Sequence, residues 1–270
     1  MELDFGSMFG MVVAVAALFF AIILDHDNIS LFLNPSAFLL VIGGTIGATA
    51  LSVGVEEIFL IPKLIGIVFS SRKLEHDFDA IIDLFKKLAK VKHRPEMVRV
   101  ANTKDLFLRR GLNFIADGTH KPNVIREILS RDIETMRYRH ETASNTFQVA
   151  AGYAPTMGIM GTVVGLISVL TQASTATAGN LGTVFASFGT AFVATFLGIS
   201  TANLFWMPLY SKLVMKSEKE IIARQLMLEG LIILAEGSAV GSVDSIGIED
   251  KMKSFLKTKM QEEGAASAIR

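Results

Sequence analysis

The positive charges of this chain are confined to two blocks of the sequence. All 26 lysine and arginine residues lie either in Lys63–Arg139 or in Lys212–Arg270. The remaining regions, 1–62 and 140–211, each contain two apolar stretches long enough to cross a bilayer, which takes about 20 residues. Because lysine and arginine accumulate on the cytoplasmic side of membrane proteins, the pattern predicts four spans with both termini in the cytoplasm.

The apolar stretches predict the approximate bounds of the spans. We place them near Phe9–Leu24, Phe38–Leu51, Phe147–Leu170 and Phe185–Tyr210. The sequence therefore predicts an all-α membrane protein with four transmembrane helices and a helical cytoplasmic domain between spans two and three. The expected parts are a first transmembrane hairpin (1–60), the cytoplasmic helical domain (61–146), a second transmembrane hairpin (147–210), and a cytoplasmic helix with a mobile tail (211–270).

The first apolar stretch is expected to be a retained membrane anchor. Export signals begin with basic residues, whereas Glu2 and Asp4 precede this stretch, and no Ala-x-Ala-like cleavage site follows Leu24.

The cytoplasmic block has the periodicity of amphipathic helices. Apolar residues recur at three- and four-residue steps over Phe78–Ala89, with charged residues between them. A second helix is predicted to start after Lys121-Pro122, since proline suits a first helical turn, and no clear stop separates it from the third span. Another helix is predicted over Ile221–Ile232. Glycines interrupt the pattern after Glu236, so we expect the tail to be mobile.

The second predicted hairpin is rich in hydroxyl groups but carries no charge. No Asp, Glu, Lys, Arg or His occurs from Thr142 to Ser211, although threonine, serine and glycine are frequent. The ordinary interpretation is close helix packing, because small residues let backbones approach. The alternative is a polar seam lining an ion route, which would need a titratable group from a partner. Pro155 and Pro208 bracket this seam, where prolines commonly kink or end helices.

Segments of this hairpin resemble the flagellar motor stator A-subunits, the MotA and PomA family. Ala151–Leu166, with sequence AGYAPTMGIMGTVVGL, is similar to the third-span signature, and Ala202–Leu209, ANLFWMPL, to the fourth-span exit. Phe107–Gly111 and Ile125–Leu129 match in the cytoplasmic block, so the resemblance covers roughly residues 5–235. It implies a homo-oligomeric ring, expected to be a pentamer, around two copies of a single-span B-subunit (MotB/PomB-like) whose membrane aspartate carries the ion.

The resemblance also implies roles for individual membrane residues. The family's channel prolines fall on Pro155 and Pro208, and its channel-facing hydroxyls fall on Thr162 and Thr195. Sodium-type members tend to carry extra channel hydroxyls, but Ala194 stands where a second adjacent threonine would be expected. Protons are therefore favoured as the coupling ion, with sodium as the alternative.

The family touches the rotor switch protein FliG through a cytoplasmic pair of basic and acidic residues, and here the sequence departs from the family pattern. The segment is several residues shorter, and no glutamate follows Arg94 at the usual separation. Either Glu96 or Asp105 is expected to substitute for that glutamate, and Arg99 is the further candidate residue of the rotor contact. A cluster of exposed charges is, however, most often only a solvated face.

The resulting prediction is a stator subunit of the bacterial flagellar motor in the cytoplasmic (inner) membrane, in contact with membrane lipid. One alternative is a proton-driven energiser of the TolQ and ExbB kind, which usually has three spans and drives an envelope-spanning partner. A structural membrane scaffold without ion traffic is the other. The chain has no cysteine and no phosphate-binding loop, nucleophile elbow or paired-histidine motif. We expect no enzyme activity, metal site, cofactor or nucleic-acid partner.

Overall fold

The protein is almost entirely helical in the computed structural model, which describes residues 2–3, 5–24, 32, 34–71, 78–91, 93–118, 120–175, 181–240 and 245–269. This confirms the all-α expectation. Among the described residues the exceptions to helix and loop are two short strands, β1 (Glu2–Leu3) and β2 (Ser70–Ser71). They pair antiparallel, with Glu2 opposite Ser71.

The helices follow one another with few breaks. In chain order they are α1 (Phe5–Leu24), α2 (Pro35–Phe38), α3 (Gly44–Val53), α4 (Val55–Phe69), α5 (Phe78–Ala89), α6 (Arg94–Ala101), α7 (Leu106–Asp117), α8 (Pro122–Thr175), α9 (Leu181–Thr201), α10 (Met207–Val240) and α11 (Ser245–Ile269). Two π-helical turns, Leu39–Gly43 and Ala202–Trp206, join α2 to α3 and α9 to α10.

The chain divides into two compact units. One comprises Met1–Ser71 with His140–Val214, and the other comprises Arg72–Arg139 with Met215–Arg270. Both α8 and α10 contribute residues to each unit, as expected for a chain in which no stop signal separates the second cytoplasmic helix from the third apolar stretch.

Three described helical stretches are long and apolar enough to cross a membrane. They are Pro35–Val53, Pro122–Ser174 and Ser187–Gly237. The first expected span corresponds to a shorter apolar helical stretch, Met8–Leu24.

Local sequence signals explain where the second apolar stretch begins and ends. The side chain of Asn34 accepts hydrogen bonds from the backbone N–H groups of Ser36 (3.0 Å) and Ala37 (3.1 Å), which caps α2. Gly54 ends α3 with a φ of 98°, a left-handed value that a residue with a side chain rarely adopts. The stretch from Pro35 to Val53 is thereby bounded at both ends.

The second unit has its own apolar core. The amphipathic helix predicted over Phe78–Ala89 is confirmed as α5, and its buried face includes Phe85 and Leu88. Gly230 on α10 leaves room for the Phe85 ring, because a Cβ there would lie 2.6 Å from Phe85 Cδ1. The second predicted helix is confirmed as α8, which begins at Pro122, within one residue of the predicted start.

The tail differs from the mobile segment that the glycines suggested. Residues Ser245–Ile269 form α11, whose Ile248 and Met252 are fully buried and which packs against α5. Apolar residues at Ile248, Met252 and Phe255 give this helix a short buried stripe, and that stripe supplies the packing that stabilises it. Residues 241–244, which include one of the interrupting glycines, lie outside the described part of the chain.

Candidate ion path and cytoplasmic contact surface

Helices α8 and α9 pack through small residues in the first unit. A Cβ added to Gly198 would lie 2.6 Å from the carbonyl oxygen of Ala154, and one added to Gly165 would lie 2.9 Å from the Cα of Ala191. Real side chains do not approach backbone atoms so closely, so these positions need glycine for the two helices to touch. This is the close packing that small residues permit between membrane helices.

The two hydroxyl residues named from the resemblance meet at this contact. Thr162 Oγ1 and Thr195 Oγ1 are hydrogen-bonded to each other. Both also lie 3.3 Å from the carbonyl oxygen of Gly158, and Thr162 Oγ1 lies 3.2 Å from the carbonyl oxygen of Ala191. Both threonines are half-buried. Helix packing therefore gathers two hydroxyls and two carbonyl oxygens at one point.

The two hydroxyl groups of this cluster have more lone pairs than their hydrogen bonds to each other and to the carbonyls use. Each hydroxyl has one proton to donate and two lone pairs to offer, whereas a carbonyl oxygen only accepts. When one threonine donates to the other and the second donates to Gly158 or Ala191, three of the four hydroxyl lone pairs remain unused. The cluster can therefore accept hydrogen bonds from water or coordinate a cation.

The two prolines occupy different positions relative to this cluster. Pro155 lies within α8, and its spacing of three and seven residues puts it on the face that carries Gly158 and Thr162. It has no N–H to donate to the carbonyl of Ala151, four residues earlier. Pro208 lies in the first turn of α10 and is exposed. Of these four predicted membrane residues, the two threonines are joined to each other by a hydrogen bond in the described part of the chain.

The π-helical turn before Pro208 is a feature that the sequence analysis missed. The N–H of Met207 donates to the carbonyl of Ala202, five residues back, instead of to the residue four back. A π-helical turn shifts the hydrogen-bond pairing of the following backbone by one residue. Pro208 has no N–H, so it could not have donated the hydrogen bond of a regular α-helix at this point. The proline was the one available signal, because π-helical turns have no sequence pattern of their own.

The predicted rotor-contact residues lie in the second unit, on α6 and just before α7. Arg94 begins α6, and its side chain lies outside the described part of the structure. Glu96 and Arg99 are exposed on the same helix. Asp105 is different, because its Oδ1 accepts the backbone N–H of Leu108 at 3.0 Å and caps α7.

Asp105 is also held by a residue that the sequence analysis did not name. Arg224 on α10 donates from a terminal guanidinium nitrogen to Asp105 Oδ2. Its guanidinium lies 5.5 Å from the centre of the Phe107 ring, and its side chain is only 12% exposed. The position of Arg224 among the apolar residues of the predicted helix Ile221–Ile232 was the available signal, since a cation buried with apolar residues requires a partner.

The second unit contains further ion pairs that join its helices. Arg126 on α8 makes a two-pronged contact with Glu229 on α10, with distances of 2.6 and 3.2 Å. Glu249 on α11 accepts from Lys253 and also pairs with Lys86 on α5, each at 2.7 Å. These hydrogen bonds, from Lys253 first and Lys86 second, lower the pKa of Glu249 from 4.5 to about 2.

Among the described residues, no group of three or more His, Cys, Asp or Glu side chains could hold a metal ion.

The first unit contains a cavity of about 180 Å³ beside the contact of α8 with α9, lined partly by Ser168, Gln172 and Ser187. Gln172 Nε2 donates to Ser187 Oγ at 3.0 Å there.

Known proteins resemble this chain along most of its length. The sequence model of the MotA/TolQ/ExbB proton channel family matches residues 99–225. Motility protein A of Bacillus subtilis (strain 168) is 32% identical over 261 residues, 95% of this chain and 92% of that protein. Chemotaxis protein PomA of Vibrio alginolyticus is 25% identical over 251 residues, 90% of this chain and 93% of that protein.

A solved structure agrees with these sequence relatives. The flagellar MotAB stator complex from Bacillus subtilis contains a chain that matches with a TM-score of 0.78 and 32% identity, covering 93% of this chain and 95% of that one. Because nearly a third of the residues and the helical architecture agree over almost the whole length, the chain belongs to the MotA/TolQ/ExbB proton channel family, among its flagellar stator subunits.

Proposed function

We propose that this stator subunit passes protons along the α8–α9 seam and that their flow produces torque on the flagellar rotor. The observation that carries the proposal is the contact of Thr162 with Thr195, flanked by the carbonyl oxygens of Gly158 and Ala191. This cluster offers unused lone pairs in a segment, 142–211, that has no charged residue. It can therefore relay protons through water but cannot store one.

The storing group must come from a partner. A single-span B-subunit (MotB/PomB-like) with a membrane aspartate supplies a carboxylate that binds and releases the proton, while the threonines hold water against it. One charge crossing the membrane releases about 2.3 kcal/mol per 100 mV. Since about 1.4 kcal/mol already changes a population tenfold, this energy suffices to bias a rotational step.

Pro155 and Pro208 act on the shape of the path. Pro155 leaves the carbonyl of Ala151 without its usual helical donor, so that carbonyl can accept from water on the threonine face. Pro208 follows the π-helical turn and permits the backbone shift there. Both prolines thereby support bending of the helices that line the path.

The assembly we propose has four spans, both termini in the cytoplasm, and a location in the bacterial cytoplasmic membrane. Large apolar side chains exposed along the first unit, such as Phe9, Leu51 and Leu170, suit contact with lipid and with further copies of the chain. We propose a homo-oligomer, specifically a pentamer, surrounding the B-subunits. In this assembly the hairpins 1–60 and 147–210 lie in the membrane, and the segments 61–146 and 211–270 lie in the cytoplasm.

The rotor contact we propose uses α6 and the residues that follow it. Arg94, Glu96 and Arg99 are the residues that touch the rotor switch protein FliG. Asp105 supports this contact from behind, because its carboxylate is occupied by the cap of α7 and by Arg224.

The TolQ and ExbB alternative is disfavoured by the comparisons with motility proteins. The matching family model includes TolQ and ExbB by its description. The relatives that match 90% or more of this chain, however, are named as motility and chemotaxis proteins.

The function is tested by producing this chain, with Thr195 replaced by valine, in a non-motile strain that lacks its own stator A-subunit. Valine keeps the shape of threonine and removes the hydroxyl, so rotation of tethered cells should stop while the protein still reaches the membrane. Thr201→Val is the matched control on the same helix, because within the described residues Thr201 bonds to carbonyls of its own helix, those of Leu197 and Gly198. Normal rotation of the Thr195→Val strain would refute the proposed path.

A further inference from the structure

The second unit contains a cavity of about 500 Å³ that is lined by side chains of α8, α10 and α11. Its wall on α8 extends from Arg126 to Arg137, and eleven residues of helix span about 16 Å. Sites for small organic ligands have volumes of about 300–1,000 Å³. The cavity is therefore large enough for such a ligand.

The lining of the cavity combines apolar side chains with polar groups that lack partners. Ile133 on α8 and Leu228 on α10 line it and are buried. Ser130 on α8 and Gln225 on α10 line it as well and are half-buried. Within the described part of the chain, neither the Ser130 hydroxyl nor the Gln225 amide makes a hydrogen bond. Because polar groups withdrawn from water cost free energy when unpaired, a ligand that bonds to these two groups would gain from the contact.

The charged side chains of the lining divide into a closed pair and groups that remain open to a ligand. Arg126 and Glu229 neutralise each other through their two-pronged contact. Glu134 and Arg137 lie one turn apart on α8 and are exposed, and neither makes an ion pair with a described residue. Lys259 on α11 adds a further positive charge to the lining. The cavity thus presents basic groups and a separate carboxylate to its occupant.

We propose that this cavity binds a nucleotide, with Arg137 and Lys259 on its phosphate and Glu134 on the N–H groups of its base. A ligand with only negative groups would be repelled by Glu134, and one with only positive groups by Arg137 and Lys259. Arginine binds phosphate through paired N–H groups, whereas an ionised carboxylate only accepts hydrogen bonds and so needs a donor. A nucleotide carries both kinds of group on one molecule.

The aromatic ring of Phe255 favours a nucleotide over a smaller ligand with both charges, such as an amino acid. Phe255 on α11 is half-buried and lines the cavity, and a flat base can stack on its ring. An amino acid would leave much of the volume unfilled. Guanine has two neighbouring N–H donors on one edge, whereas adenine has only its amino group there, so the two oxygens of Glu134 favour guanine.

Binding is tested by calorimetric titration of the purified stator complex in detergent with GMP, AMP and inorganic phosphate. We expect GMP to bind with a Kd below about 1 mM, and at least about tenfold more tightly than either AMP or phosphate. Arg137→Gln should weaken GMP binding at least about tenfold, because it removes a hydrogen bond between two charged groups. Arg131→Gln is the matched control on α8, since Arg131 is exposed, pairs with Glu127 and is not among the residues that line the cavity.

A second measurement uses the unmodified chain, so that it does not depend on how well a variant folds. A ligand held by α8, α10 and α11 together stabilises the folded form, so saturating GMP should slow hydrogen exchange over residues 252–259. Unchanged exchange there would overturn the site, as would equal weakening of GMP binding by Arg137→Gln and Arg131→Gln. Phosphate that binds as tightly as GMP would show that the base is not recognised. AMP that binds as tightly as GMP would contradict the role of Glu134.

Discussion

Thr162 on α8 and Thr195 on α9 are hydrogen-bonded to each other beside the point where the two helix backbones touch. The contact depends on glycine, because any side chain at Gly158 or Gly198 would meet backbone atoms of the opposite helix. The close packing and the hydroxyl contact therefore have the same cause. Small residues, which the sequence analysis interpreted as packing residues, bring the helices close enough for hydroxyls from two helices to meet.

Replacing Gly198 with alanine should separate the two helices and break the threonine contact. The new Cβ would lie 2.6 Å from the carbonyl oxygen of Ala154, so the backbones must shift apart. We expect rotation to be lost while the protein remains in the membrane, measured by tethered-cell rotation and membrane immunoblotting. Gly189→Ala is the control on α9, since no atom of the described residues lies within 4 Å of a Cβ there. Equal loss in both variants would show that helix propensity rather than the contact matters.

Replacing Ala194 with threonine should impair the stator rather than make it sodium-dependent. Ala194 is 1% exposed, and its Cβ packs directly against Gly161, where an added Cβ would lie only 2.4 Å away. Two extra atoms in such a packed place typically cost about 1–3 kcal/mol. Swimming speed with and without sodium measures the outcome. Full motility that requires sodium would contradict this prediction and show that one added hydroxyl selects the ion.

Replacing Arg224 with methionine should destabilise the second unit. The substitution leaves the carboxylate of Asp105 part-buried without its cation, and breaking a buried ion pair in this way costs about 3 kcal/mol or more. A lowered melting temperature of the purified stator complex in detergent is the measurement. Adding Asp105→Asn should recover part of the loss, because asparagine can still cap α7 and carries no charge. A double variant no more stable than Arg224→Met would argue against the pair.

Acid should loosen α11. Hydrogen bonds from Lys253 and Lys86 hold the pKa of Glu249 at about 2 in the folded protein, against 4.5 ordinarily. The ionised carboxylate therefore stabilises the fold fully above pH 4.5, and this contribution is lost as the pH falls from 4.5 towards 2. Hydrogen exchange over residues 245–256 should lose protection in that range. In the Glu249→Gln variant, the hydrogen-exchange protection of these residues should be lower than in the unmodified chain at neutral pH and should change less as the pH falls.

Much of the helical framework follows from sequence pattern, whereas the contacts that form the site do not. Apolar spacing correctly predicted α5 over Phe78–Ala89, and proline chemistry predicted the start of α8 to within one residue of Pro122. The pattern missed α11, because glycines hid a buried stripe of only a few residues that depends on packing against α5. The pair of Asp105 and Arg224 joins positions 119 residues apart, a distance over which periodicity carries no information.

Ion flux into liposomes tests the central claim most directly, because the account requires a hydroxyl-lined seam in this chain and a carboxylate from its partner. The purified chain reconstituted alone should conduct no protons selectively. The complex with its B-subunit should take up protons when a membrane potential is applied, and Thr195→Val in that complex should suppress the uptake. Selective proton conduction by the chain alone, or undiminished uptake by the Thr195→Val complex, would contradict the account.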